Sequence, residues 1–161
     1  MDIDLMVGLG RAGAMAAIAL AAVGSAMGTG TAGMAAIGAW KKCFAQNKTA
    51  PFLLLIFIGA PLTQTIYGMI LMNALVEACN AANYETAEAL REVVVNWPAM
   101  LSAGIFGGIG MGASAWFQGK AGAAASDAVA DTGKGFGNYL MTIGIVETVA
   151  LFVMVFLMIN I

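Results

Sequence analysis

Histidine is absent from this 161-residue chain, cysteine occurs twice, proline three times, and only 10% of the residues are charged. Each scarcity excludes something. Without imidazole, metal sites built on histidine are ruled out. Cys43 and Cys79 stand far apart with no CxxC spacing, so they read as reduced thiols and not as a disulfide framework. A soluble domain carries about 25% charged residues. The 10% here, beside 61% hydrophobic residues and a mean hydropathy of +0.88, places nearly the whole chain in a membrane. The net charge of −2 leaves no basic stripe to hold nucleic acid. The opening MDIDLM is acidic and lacks the basic region and small-residue cleavage site of a signal peptide, so the first apolar segment is expected to be retained.

What the chain does have is long hydrophobic runs. Four stretches, about Leu5–Trp40, Phe52–Val76, Val94–Ser126 and Phe136–Asn160, each exceed the roughly 20 residues a transmembrane helix needs. The expected fold is an all-α membrane protein. The first and third stretches are long and rich in Gly, Ala and Ser, while the second and fourth are richer in Leu, Ile, Phe and Met. Pro51 is placed to open the second span, and Trp97 and Pro98 to mark the start of the third.

Charge sets the orientation. The loop KKCFAQNKTA carries Lys41, Lys42 and Lys48 and no acid, whereas the loop after the second span has Glu77, Glu85, Glu88 and Glu92 against Arg91. The positive-inside rule puts the first loop, 41–50, in the cytoplasm and both termini outside.

An internal repeat organises the chain. GSAMGTGTAG (Gly24–Gly33) aligns with ASAWFQGKAG (Ala113–Gly122), which sets Ser25 opposite Ser114 and Thr29 opposite Gln118. Gln64-Thr65 falls opposite Glu147-Thr148, each near the middle of its span. The reading is a duplicated helical hairpin, residues 1–80 and 81–161, with the two copies parallel in the membrane. Small residues let helix backbones approach closely in lipid, so the Gly/Ala helices are expected to form one tight layer and the bulky helices a second. Such hairpins set side by side close into a homo-oligomeric ring.

Glu147 is the only acid at the centre of an apolar run. A carboxylate there costs roughly 2.5–3.5 kcal/mol on insertion scales, so the default reading is an ion or proton site with named partners. Thr63 and Gln64 in the second span and Gln118 in the third supply them: with Glu147, a hydroxyl, two amide carbonyls and a carboxylate. Hard cations prefer such oxygen ligands, and a single carboxylate balances a monovalent ion better than Ca²⁺. Pro61 cannot donate to the carbonyl of Phe57, which frees backbone oxygen near Ala60. Tyr67, one turn beyond Thr63, is within reach of the carboxylate. Taken singly, each residue has a plainer role: Glu147 as a protonated structural group, Thr63 bonded back to its own helix, Gln64 and Gln118 as interhelical glue, Tyr67 as packing. Their joint occurrence at matching repeat positions favours the ion site.

Three motifs are set aside. GTGTAG (Gly28–Gly33) fits a dinucleotide fingerprint but follows no strand. Asn47-Lys48-Thr49 fits a glycosylation sequon on the cytoplasmic side. Lys120 is expected to snorkel to the cytoplasmic interface.

PLTQTIYG (Pro61–Gly68), FQGKAGAAA (Phe117–Ala125) and VETVALF (Val146–Phe152), with the four-span duplicated pattern, make the whole chain resemble the 16-kDa proteolipid of V-type and A-type rotary ATPases, most of all its sodium-translocating bacterial members. The resemblance implies a non-catalytic rotor-ring subunit that carries Na⁺ coupled to ATP hydrolysis or synthesis. It implies ligation by Thr63, Gln64, Gln118, Glu147 and the backbone carbonyl of Ala60, with a hydrogen bond from Tyr67 locking the site. It also implies partners: identical subunits, a stator membrane subunit, central-stalk subunits and lipid. Leu62 stands where the family often has Gly, Ala60 is smaller than usual, and TVALF replaces the GLYGL-like run of eukaryotic members, which favours a bacterial or archaeal plasma membrane. The alternatives are the same ring carrying H⁺, or a carboxylate-dependent secondary transporter or channel that needs no ring. A purely structural membrane scaffold is the third.

Overall fold

Two very long helices of small residues set the frame. The structure is a computed structural model that describes residues 2–81 and 87–160, with the side chains of 2–79 and 96–160. Helix α1 spans Ile3–Ala45, α2 Leu54–Gly59, α3 Thr63–Ala81, α4 Ala87–Thr132 and α5 Phe136–Met158; a single 3₁₀ turn, Ala60–Leu62, joins α2 to α3. No strand occurs among the described residues. Four segments are long and apolar enough to cross a membrane: Ile3–Ala45, Leu54–Cys79, Asn96–Thr132 and Phe136–Met158. The chain is an all-α, multi-pass membrane protein.

The helices overrun the apolar stretches. At 1.5 Å per residue, the 43 residues of α1 and 46 of α4 reach about 65–70 Å, against a hydrocarbon core of about 30 Å. Helix α4 begins at Ala87, well before Trp97, and Pro98 lies inside it. The proline that was expected to open the third span is therefore absorbed within the helix. Hydropathy marks where lipid begins, whereas the helix ends where its backbone finds a cap. Pro51 precedes α2 by three residues, and its carbonyl accepts the indole N–H of Trp40 at 2.8 Å. Glu85 lies outside the described residues, as do the side chains of Glu88, Arg91 and Glu92, on which the acidic character of the second loop rested.

The turns are local chemistry. Asn47 takes a left-handed φ of 52°, and Lys48 N donates to Cys43 O at 2.9 Å, closing the C-terminus of α1. Gly133 (φ 66°) and Gly135 (φ 80°) reverse the chain within three residues and set α5 antiparallel to α4. Beside these turns Lys42 of α1 pairs with Asp131 of α4, both about half exposed.

Helices α1 and α4 meet backbone to backbone. A methyl on Gly24 would fall on the carbonyl of Gly112, one on Gly104 on the carbonyl of Gly13, and one on Gly119 on the carbonyl of Gly28. Only glycine permits that approach, the usual means of helix association in lipid. The bulky second and fourth spans lie against this pair, α3 touching both α1 and α4, and α5 touching α4 and α3. Two apolar cores result. One gathers Ala14, Ala17, Ala21, Leu71, Leu75, Met111 and Met154. The other gathers Ala36, Leu54, Phe57, Val129 and Ile143, with the Phe57 and Phe136 rings 5.3 Å apart. Between them runs a polar belt at the depth of Gln64, Gln118 and Glu147. Cys43 and Cys79 are both buried and free.

Lys120 departs from the expectation. It leans back along α4, its Nζ 4.1 Å from the centre of the Trp116 ring and 5.1 Å from that of Phe117. Helical side chains slant toward the N-terminus, and two aromatic faces one turn back attract the ammonium. Snorkelling toward the C-terminal end of α4 is thereby replaced by a cation–π contact at the level of Gln118.

Candidate functional site

Glu147 sits eleven residues from either end of α5, about 16 Å from each. Its depth is fixed by the short turn at Gly133–Gly135 and by the buried residues Ile143, Ala150 and Met154, which lie on either side of it along α5. Both carboxylate oxygens are engaged. Tyr67 of α3 donates its hydroxyl to Oε1 at 2.8 Å, and Gln118 of α4 donates Nε2 to Oε2 at 3.2 Å. Gln64 of α3 donates Nε2 to Gln118 Oε1 at 2.9 Å. The two glutamines are fully buried, at 0% exposure each, so their amide groups must find protein partners. The result is a continuous chain, Gln64–Gln118–Glu147–Tyr67, bridging three helices.

The second span reaches this belt through a break. Pro61 lacks the N–H that would satisfy Phe57, and the chain tightens into the 3₁₀ turn Ala60–Leu62 before α3 resumes. The turn carries Thr63 and Gln64 onto the inner side. The Ala60 carbonyl accepts both the backbone N–H and, at 2.9 Å, the hydroxyl of Thr63. The same hydroxyl lies 3.2 Å from Gln64 Oε1. It has one proton, so it serves one acceptor at a time and keeps a lone pair for another partner. The carbonyl freed by Pro61 is that of Phe57, and it faces α4: a methyl on Gly122 would lie 2.8 Å from it.

The structure thus brings Gln64, Gln118, Glu147 and Tyr67 into one hydrogen-bonded group, with Thr63 and the Ala60 carbonyl at its edge. Sequence reasoning did not single out Ser114 for the site. Its hydroxyl donates to the carbonyl of Val146 at 2.8 Å, immediately before Glu147. The available signal was its repeat position, one turn before Gln118. No group of three or more His, Cys, Asp or Glu able to hold a metal occurs among the described residues. The groups gathered here are one carboxylate, two amides and the hydroxyls of Thr63 and Tyr67.

Removing the tyrosine hydroxyl tests the lock. Hydrogen bonds to charged groups are worth about 1.5–3 kcal/mol, so Tyr67→Phe is expected to raise the rate at which a carbodiimide modifies Glu147 by about tenfold or more. The mass shift of the intact chain over time reads it. An unchanged rate means that the hydroxyl does not restrain the carboxyl in the membrane.

Residues 101–160 match the family model of the ATP synthase C subunit. The match takes in most of α4 and all of α5, hence Ser114, Gln118 and Glu147, and leaves out α3 with Thr63, Gln64 and Tyr67. No curated protein matches the chain.

Proposed function

We propose that this chain is a membrane rotor-ring subunit of a V/A-type rotary ATPase and that each copy carries one Na⁺ on Glu147. The observation that carries the reading is a mid-span carboxylate held at both oxygens, by Tyr67 and by Gln118. Support comes from the similarity of residues 101–160 to the C subunit of ATP synthase. The chain's own part is transport, with nucleotide chemistry left to other subunits. The repeat favours a ring of identical hairpin pairs that meets a stator subunit in the membrane and central-stalk subunits at the lysine-bearing loops. The excess of Lys41, Lys42 and Lys48 favours a cytoplasmic loop 41–50 with both termini outside, and the TVALF run after the acid favours a bacterial or archaeal plasma membrane.

The mechanism follows from charge. A bare carboxylate is costly in lipid, and one bound cation cancels that charge, so the loaded site can turn past hydrocarbon. The ligands of this reading are the oxygens of Thr63, Gln64, Gln118 and Glu147 with the backbone carbonyl of Ala60, which the hydrogen bonds between them join into one group. Gln118 now points its N–H at the carboxylate. Half a turn of the amide about its last torsion presents the oxygen to a cation instead; it gives up the bonds that Gln118 makes to Glu147, Ile143 O and Gln64, which contact with the ion has to offset. A fixed cation on the stator then competes for the carboxylate and releases the ion. Each charge moved through the membrane potential is worth about 2.3 kcal/mol per 100 mV.

The orientation of the Gln118 amide also favours a second reading, the same ring carrying H⁺, because a proton needs only the carboxyl and its hydrogen-bond partners. One assay separates the two. With the Na⁺ reading, millimolar Na⁺ slows carbodiimide labelling of Glu147 at neutral pH. Labelling that responds to pH alone assigns the proton. Oligomeric state in mild detergent tests the ring: a monomer or dimer that still transports after reconstitution would instead mean a secondary transporter.

A further inference from the structure

Ser114 lies one turn before Gln118 on α4 and is 5% exposed. A serine within a helix commonly bonds back to the carbonyl four residues earlier, as Ser126 does to Gly122 at 2.8 Å. Ser114 instead crosses to α5 and donates to Val146 O at 2.8 Å. One turn further along α4, Gln118 Nε2 donates to Ile143 O at 3.2 Å. Helix α4 therefore grips the backbone of α5 at two carbonyls in the turn that leads into Glu147. A helical carbonyl has a second lone pair, so the grip costs α5 none of its own ladder.

The repeat provides an internal comparison. Ser25 holds the equivalent place in the first hairpin and is 2% exposed, yet its hydroxyl has no hydrogen-bond partner. That hairpin carries Gln64 where the second carries Glu147. The buried serine is engaged only beside the acid. Packing constrains one side of α5: Ile143, Ala150 and Met154 are buried along it and Val153 and Leu157 pack on the core, whereas Gly144 has open space on its outer side. A rotation of about 20° moves a group at the 5–6 Å outer radius of a helix by about 2 Å. That is enough to break the hydrogen bonds from Tyr67 and Gln118 to the carboxylate.

We propose that Ser114 is a positioning residue: by holding the Val146 carbonyl it fixes the rotation of α5, so that the Glu147 carboxylate meets Tyr67 and Gln118 together. The inference rests on the reading of Glu147 as the ion carrier.

The test compares wild type, Ser114→Ala, Ser114→Thr and Ser25→Ala in the assembled complex in membranes. Two quantities are read: the Na⁺ concentration that halves carbodiimide labelling, and the infrared carboxyl band of Glu147, assigned by its loss in Glu147→Gln. Ser114→Ala is expected to require about three- to tenfold more Na⁺, the loss of one neutral hydrogen bond, and to shift the band toward that of a less hydrogen-bonded carboxyl. Ser114→Thr, which keeps the hydroxyl, restores both, and Ser25→Ala leaves both at wild type. If Ser114→Ala lowers only the amount of assembled protein, with the band and the half-protecting concentration unchanged, the serine is merely structural and the proposal is overturned. If wild type shows no Na⁺ protection, the sodium reading fails by itself, and the band comparison still decides the role of Ser114.

Discussion

Glu147→Gln is expected to abolish cation transport while the protein still inserts and assembles. The amide occupies nearly the same volume, so the cores on either side of the belt keep their packing. It keeps an oxygen for the Tyr67 hydroxyl now 2.8 Å from Oε1. It removes the charge, which at mid-bilayer costs roughly 2.5–3.5 kcal/mol, so helix insertion improves or is unchanged. What disappears is the group whose charge a carried cation neutralises. Transport in reconstituted vesicles should fall to background, on the order of 100-fold or more, because the carrier group itself is removed and not merely misplaced. Carbodiimide labelling should vanish with it. A variant that assembles, resists the reagent and still transports would end the reading of Glu147 as the carrier. Loss of assembly together with transport would instead point to a structural carboxyl.

Gly119→Val is expected to have the largest effect on folding. A methyl at residue 119 would coincide with the backbone of Gly28. A flexible side chain yields to such a clash, whereas a helix backbone does not. Inserting extra carbons into an adaptable core costs about 1–3 kcal/mol, and two helices forced apart also lose contacts along their shared length. The expected destabilisation is therefore above about 3 kcal/mol, read as loss of the assembled species in mild detergent. The neighbouring Gln118 would leave its place beside Glu147 and Gln64, so any protein that assembles should label with carbodiimide whether or not Na⁺ is present. Gly38→Ala is the control. Nothing lies within 4 Å of the added carbon, and alanine is the better helix former by about 1 kcal/mol. Equal yields for the two variants would mean that α1 and α4 do not pack through glycine in the membrane.

Both expectations start from residues visible in the sequence, although their partners were legible to different degrees. Glu147 stands out because an acid in a run such as VETVALF has no apolar explanation. Gln118 and Gln64 stand out through the repeat. Tyr67 was placed from spacing, one turn beyond Thr63, and its bond to the carboxylate follows from that face of α3. The Ala60 carbonyl is more intricate than the proline suggested. Pro61 leaves Phe57 without its donor, and the tightened turn gives the Ala60 oxygen two donors from Thr63. Ser114 was visible only as a repeat match, because a serine among glycines and alanines carries no sign of where its hydroxyl points. Lys120 misled for a related reason: its distance from the C-terminal end of α4 was readable, but the attraction of Trp116 and Phe117 depends on which face of α4 they share with it.

Composition and period settled by themselves that the chain spans a membrane four times, that two spans are built to be approached closely, and that one carboxylate lies where lipid would reject it. These follow from free energies of transfer, which belong to each residue wherever it packs. Only the tertiary structure decided the depth and rotation of each helix against its neighbours. Those are set where glycine backbones of α1 and α4 touch and where Ser114 and Gln118 hold α5, contacts between residues far apart in the chain that no local pattern encodes.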